Sequence, residues 1–151
     1  MSITIKEVTE ENVNEILNLQ VDESQNSFIE STKQCLDDAA EHNEFKPVGL
    51  YRDECLVGFA MYGFFPDEGE NGRVWLDRYL IDLSYQGQGL GKIALSALLD
   101  HIIAKYECKK IYLSLYDDNL VALNLYRKFG FEFNGEYDIN KEKVMVKVVN
   151  E

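Results

Sequence analysis

The sequence predicts an α+β (mixed α/β) fold in a single domain spanning residues 1–151, with a central mixed, mostly antiparallel sheet of six to seven strands flanked by about four helices. Two observations predict it. A chain of 151 residues has the size of one core, with no proline-rich linker, internal repeat or low-complexity stretch to divide it. Strand-like runs are joined by a short hairpin in the first half but alternate with helical runs in the second, and β-α-β crossovers demand a parallel pairing.

The elements follow in order. "SITIKEV" alternates Ile3, Ile5 and Val8 and reads as a strand. Thr9 is placed to cap a helix through "EENVNEILNLQ", with Val13, Ile16, Leu17 and Leu19 on one side. "SFIESTKQCLDDAAEHN" is a second helix striped by Phe28, Cys35, Leu36 and Ala39. "FKPVGLYRD" and "CLVGFAMYGFFPD" form a hairpin turning at Asp53-Glu54, and the polar "PDEGENG" leads to a strand in "RVWLDRYLIDL". A glycine-rich turn then opens a helix to about Tyr106, and "KKIYLSLYD" is the next strand. "NLVALNLYRKFG" is a helix stopped by Gly130, and "FEFNGEYDINKEKVMVKVV" supplies two last strands.

Composition excludes several functions. A formal charge of −12 argues against nucleic acid and permits a cationic partner, although acidity also serves solubility. No run approaches a membrane span, and the opening residues lack a secretory leader. Cys35, Cys55 and Cys108 are widely spaced and read as reduced thiols, which predicts a cytoplasmic protein with neither disulfides nor a metal site.

"SYQGQGLGKIAL" is the segment that carries chemistry, with Gly87, Gly89 and Gly91 in five positions. It is not a Walker A loop: Gln86 stands where glycine is needed, and Ile93 where serine or threonine is needed. The spacing G-x-G-x-G, after four strands, also departs from the Rossmann fingerprint. What remains is a strand–turn–helix whose backbone N–H groups, with Lys92 just inside, make an anion site; a close turn with no ligand is the alternative.

These residues carry a family pattern. "YLIDLSYQGQGLG" resembles the acyl-CoA signature Q/R-x-x-G-x-G/A of the GNAT N-acetyltransferases, met by Gln86, Gly89 and Gly91. "NLVALNLYRKFGF" resembles their N-x-x-A-x-x-L-Y-x-x-x-G-F stretch, met by Asn119, Ala122, Leu125, Tyr126, Gly130 and Phe131. Within that superfamily "IESTKQCL", "KPVGLY", "LVGFAMYG", "NGRVWLDR" and "NGEYD" are similar to the Bacillus-type spermine/spermidine acetyltransferases.

The resemblance implies acetyl transfer from acetyl-CoA, a co-substrate, directly to a primary amine in a ternary complex without a metal. It places the pyrophosphate on Gln86, Gly87, Gln88, Gly89, Leu90, Gly91 and Lys92. The pantetheine arm falls along Tyr79, Leu80 and Ile81 like an added strand, where one N–H could steady an oxyanion. Asn119 and Lys128 join the cofactor residues. Tyr126 is assigned to the thiolate end, on the same helix face as Asn119 seven residues earlier, with a core tyrosine as the alternative. Because a phenol is a weaker acid than a thiol, Tyr126 is expected to hydrogen-bond the leaving sulfur.

The resemblance also aligns Asp77 with an acidic residue of related polyamine acetyltransferases; expected on the face of Tyr79 and Ile81, it would hold the amine and pass its proton through water, with an ion pair to Arg73 or Arg78 as the alternative. Asp22, Glu23 and Glu30 are candidates for a polyamine's other ammonium groups, as are Asp67, Glu68 and Glu70, each equally a solvated charge. Tyr62, Phe64 and Phe65 could line the groove or the core. His42 and His101 read as half-buried structure. The expected partner is a small polyamine, with neither nucleic acid nor membrane, in a possible homodimer. The rival readings are another amine acceptor (a protein N-terminus or lysine, an amino acid, an aminoglycoside) and a non-catalytic acyl-CoA sensor.

Overall fold

The computed structural model describes residues 2–20, 32–138 and 141–149. Among these residues seven strands form one sheet: β1 (Ile3–Glu7), β2 (Phe45–Arg52), β3 (Cys55–Phe65), β4 (Arg73–Ile81), β5 (Lys110–Leu115), β6 (Phe131–Tyr137) and β7 (Lys143–Val148). The helices are α1 (Val13–Leu17), α2 (Thr32–Glu41), α3 (Leu90–Tyr106) and α4 (Leu120–Lys128). Strand order is β1-β2-β3-β4-β5-β7-β6. Every neighbouring pair is antiparallel except β4 with β5. Of the two crossovers only the one through α3 joins adjacent strands, because β7 inserts between β5 and β6.

One core cluster joins the sheet to α3, whose Leu90, Ala94, Leu95, Leu98, Leu99 and Ile102 are buried at helical spacing. The second, around Ile16, Cys35, Phe59, Met61 and Leu80, lies under α1 and α2 on the other face. Tyr62 belongs to the first cluster, with its hydroxyl 3.0 Å from His101 Nε2. Phe65 packs edge-on against Phe45 at 5.4 Å, and Phe64 lies 6.1 Å from the Tyr106 ring. Burial, with Lys105 nearby, pushes His101 below its ordinary pKa, while His42 is exposed.

The first helix is shorter than its periodicity suggests. It starts at Val13 because the Thr9 N–H donates to Asn12 Oδ1 at 2.7 Å and the Glu11 N–H to Thr9 Oγ1 at 3.2 Å, closing a turn where a longer helix would begin. Leu17 consequently faces solvent, and only Ile16 of its stripe is fully buried. At the other expected boundary, Gly130 (φ 91°) donates its N–H to the Arg127 carbonyl and ends α4 as its C-terminal stop.

Candidate active site

The one parallel seam is incomplete. β4 and β5 are in register only at Val74 with Ile111 and Trp75 with Tyr112, although β4 continues to Ile81 and β5 to Leu115. Beyond that apex the strands part, so the edge of β4 from Leu76 to Ile81 presents its backbone to the split. The side chains of Leu80 and Ile81 are buried in the two clusters, leaving only their main chain to meet a ligand.

The ladder of β3 with β4 slips at this level: Tyr62 opposes Leu76 and Met61 opposes Arg78, which makes Asp77 the extra residue of a β-bulge. Val74 and Leu76 before it, and Tyr79 and Ile81 after it, all pack toward the α3 cluster. Strict alternation across Asp77 is therefore broken, and the expectation that it shares a face with Tyr79 and Ile81 is corrected. Asp77 is exposed, whereas Arg78 is only 6 % exposed.

At the wide end of the split, Asp82 organises the turn. It accepts from the N–H and hydroxyl of Ser84, capping a 3-10 turn at Leu83–Tyr85, and accepts from the Gln20 N–H at 2.7 Å. Burial raises its pKa, but these hydrogen bonds outweigh it and hold the carboxyl below its ordinary value. Gln86 folds back, donating Nε2–H to the Ile81 carbonyl at 2.9 Å, so its side chain braces the turn.

Gly87 and Gly89 have φ of 80° and 78°, a region that costs other residues about 1–2 kcal/mol. Gly89 is the N-cap of α3, which no side chain caps. A Cβ on Gly87, Gly89 or Gly91 would meet nothing within 4 Å, so neighbouring atoms do not demand glycine there. Gly91 is helical as well, so neither conformation nor packing requires it. Bare N–H groups at the positive end of a 17-residue helix, with Lys92 and Gln88 exposed and no acidic residue in the first turn, fit a diphosphate. Leu90 contributes main chain alone, its side chain being 1 % exposed in the core.

The hydroxyl of Tyr79 donates to the Gly91 carbonyl at 2.6 Å, fixing β4 to the first turn of α3. Burial, with Tyr126 nearby, pushes its phenol well above the ordinary value. Tyr126 lies edge-on to Phe131 at 5.8 Å. Burial pushes its phenol up to about 12 against the pull of the Arg78 charge. Arg78 is the neighbour that sequence reasoning missed: a strand arginine gives no sign of where it folds, and its only signal was a charge amid apolar positions.

Asn119 is not on the helix face of Tyr126. It precedes α4 as N-cap, and its Oδ1 receives the Ala122 N–H at 3.5 Å. Exposed Lys128 ends α4, about 13 Å along the axis from Asn119.

The candidate carboxylates are dispersed. Asp22, Glu23 and Glu30 lie outside the described residues. Asp67 and Glu70 are exposed, while Glu68 Oε1 accepts from Trp75 Nε1 at 2.8 Å. Arg73, an expected partner of Asp77, instead donates two hydrogen bonds to the Glu136 carboxylate at 3.0 and 3.1 Å. Among the described residues no group of three or more His, Cys, Asp or Glu could hold a metal ion, and no helix is long and apolar enough to cross a membrane. Cys35, Cys55 and Cys108 are free thiols.

The chain is similar to known proteins in sequence and in fold. The chain is 58% identical over 150 residues to a spermine/spermidine N(1)-acetyltransferase of Bacillus subtilis, covering 97% of this chain and 99% of the relative. Its fold superimposes on that of AAC(6′)-Ib, solved with paromomycin and acetyl-CoA, with a TM-score of 0.81, 20% identity and coverage of 98% and 94%. It also superimposes on spermidine N-acetyltransferase from Vibrio cholerae, solved with CoA and spermine, with a TM-score of 0.70, 20% identity and coverage of 96% and 93%. The Acetyltransferase (GNAT) family model matches residues 13–131. The split sheet, the glycine turn at its mouth and this match agree: the chain belongs to the GNAT acetyltransferase family.

Proposed function

We propose that this protein transfers the acetyl group of acetyl-CoA to a primary amine of spermine or spermidine, directly and in a ternary complex. The observation that carries the reaction is the parting of β4 from β5 beyond Trp75–Tyr112, with the glycine turn at its open end. The substrate class is supported by the Bacillus relative, similar over nearly the whole of both chains, and by the charge of −12.

Acetyl-CoA, when bound, supplies an activated thioester. The N–H groups from Gly87 to Lys92 receive its diphosphate, and the edge of β4 at Tyr79, Leu80 and Ile81 pairs with its amide-bearing arm. The reacting carbon would then lie toward the apex, where Asp77 follows Leu76 on β4 and Tyr126 is a neighbour of Arg78 and Tyr79. Tyr126 holds its proton firmly, with a phenol pKa of about 12. Full transfer to a thiolate of reference pKa about 8.5 would run uphill by roughly 5 kcal/mol. Tyr126 therefore donates a hydrogen bond to the departing sulfur. Asp77, pushed out by the bulge, holds the incoming ammonium and relays its proton to water. Free thiols and the need for acetyl-CoA support a cytoplasmic setting.

The test is thiol release from acetyl-CoA with spermine, spermidine, putrescine or no amine present. Release that depends on spermine or spermidine is expected. Faster release with an aminoglycoside, a lysine peptide or an amino acid overturns the substrate, and cofactor binding without release for any acceptor overturns the enzyme.

A further inference from the structure

We propose that the paired rings of Trp75 and Tyr112 form the floor on which the polyamine chain lies, and that Glu68 receives the ammonium group next to the one acetylated. The proposal rests on the polyamine reading above and assigns what selects that substrate class.

Position comes first. Trp75 and Tyr112 are the last register pair before the split opens, so they lie at the apex itself. Val74 and Leu76, like Ile111 and Leu113, pack into the α3 cluster, which turns Trp75 and Tyr112 to the opposite face. Their centroids are 5.4 Å apart with planes tilted by 39°. Both rings are partly exposed, and neither belongs to a core cluster. Two large rings held together outside both cores make a surface for a methylene chain.

Charge comes second. The Trp75 indole N–H donates to Glu68 Oε1 at 2.8 Å, which fixes a carboxylate at the edge of the floor. The same floor already carries a cation: the guanidinium of Arg73 lies 4.3 Å from the Tyr112 centroid and is clasped by Glu136. Ring plus carboxylate is thus the way this face holds positive charge, and Trp75 with Glu68, whose carboxylate also acts on Arg73, extends that arrangement. Trp75 precedes the bulged Asp77 by two residues, about 7 Å of strand. An extended run of three or four methylenes spans a similar length, so an amine at Asp77 sets its next nitrogen over Trp75. A monoamine gains nothing from this floor.

Trp75 is the single tryptophan of the chain, so binding is visible without turnover. Spermine is titrated into the whole protein while indole emission is followed, and initial rates are measured alongside. A saturable emission change is expected. Glu68→Gln keeps an oxygen for the indole but removes the charge; it should raise both the spermine Kd and the spermine KM about tenfold with kcat and the acetyl-CoA KM nearly unchanged. Tyr112→Leu should act in the same direction. Turnover of spermine with flat emission, or with Glu68→Gln indistinguishable from wild type, overturns the floor and leaves the function standing. A saturable, Glu68-dependent emission change without acetylation of any polyamine supports the floor and overturns the function.

Discussion

Gly91→Glu separates the demands of the helix from those of the ligand. Gly91 lies in the first turn of α3, where an added Cβ meets nothing within 4 Å. Replacing a helical glycine with a good helix former gains about 0.5–1 kcal/mol. A carboxylate in the first turn adds about 0.3–1 kcal/mol against the helix dipole. The variant should therefore be more stable by about 1 kcal/mol, which for a chain of this size raises Tm by roughly 2–4 °C. For acetyl-CoA the effect reverses. One more negative charge about 5 Å from the diphosphate costs about 3 kcal/mol at an effective dielectric of 20. Affinity should fall on the order of 100-fold. Thermal melts with and without acetyl-CoA read both quantities: the variant melts higher alone, and acetyl-CoA no longer raises its Tm. A lower Tm without ligand would refute the open geometry at Gly91. Undiminished stabilisation by acetyl-CoA would refute placing the diphosphate at this turn.

Other substitutions test the remaining parts. Tyr126→Phe keeps the ring against Phe131 and should lower kcat about 100-fold with little change in either KM or in Tm; an unchanged kcat removes Tyr126 from the chemistry. Tyr62 and Tyr126 are each pushed up to about 12 in the fold. Below pH 10 this has no effect on stability. Above it the unfolded chain loses phenolic protons that the native state keeps, so up to about 3 kcal/mol per tyrosine is lost by pH 12. Urea midpoints between pH 8 and 11 should fall accordingly, and less steeply in Tyr62→Phe. Asp82, held below its ordinary value, contributes stability above the usual carboxylate range that is lost as pH falls through its lowered pKa. Asp82→Ala should cost about 1–2 kcal/mol at pH 7 and flatten the acid limb, read from urea midpoints at pH 3 to 7.

What the sequence disclosed was local. Gly87 and Gly89 announce the turn because a positive φ at a helix start selects glycine within a few residues. The stop at Gly130 is legible for the same reason, and the hairpin because polar Asp53-Glu54 interrupts two apolar runs. The bulge at Asp77 was not, since it arises from pairing with β3 and no pattern within β4 marks the skipped partner. Asn119 matched its motif and yet caps α4, which helical spacing alone does not distinguish from lying on it. The approach of Arg78 to Tyr126 and of Trp75 to Tyr112 depends on strands or helices more than thirty residues apart in the chain. For Trp75 a faint signal existed, a large aromatic out of phase with the buried residues of its strand.

The two-pair seam has a further consequence, for cooperativity. The sheet consists of an antiparallel block of β1–β4 and another of β5, β7 and β6, joined through Val74–Ile111 and Trp75–Tyr112. Between the blocks the main chain contributes little, so their coupling passes through the side chains under α3 and α4. An arm lying in the split along β4 adds hydrogen bonds where the fold has fewest. Acetyl-CoA then acts as a missing stretch of strand, and amide exchange should slow along β4 at its edge and also across both blocks, as two partly independent folding units become one.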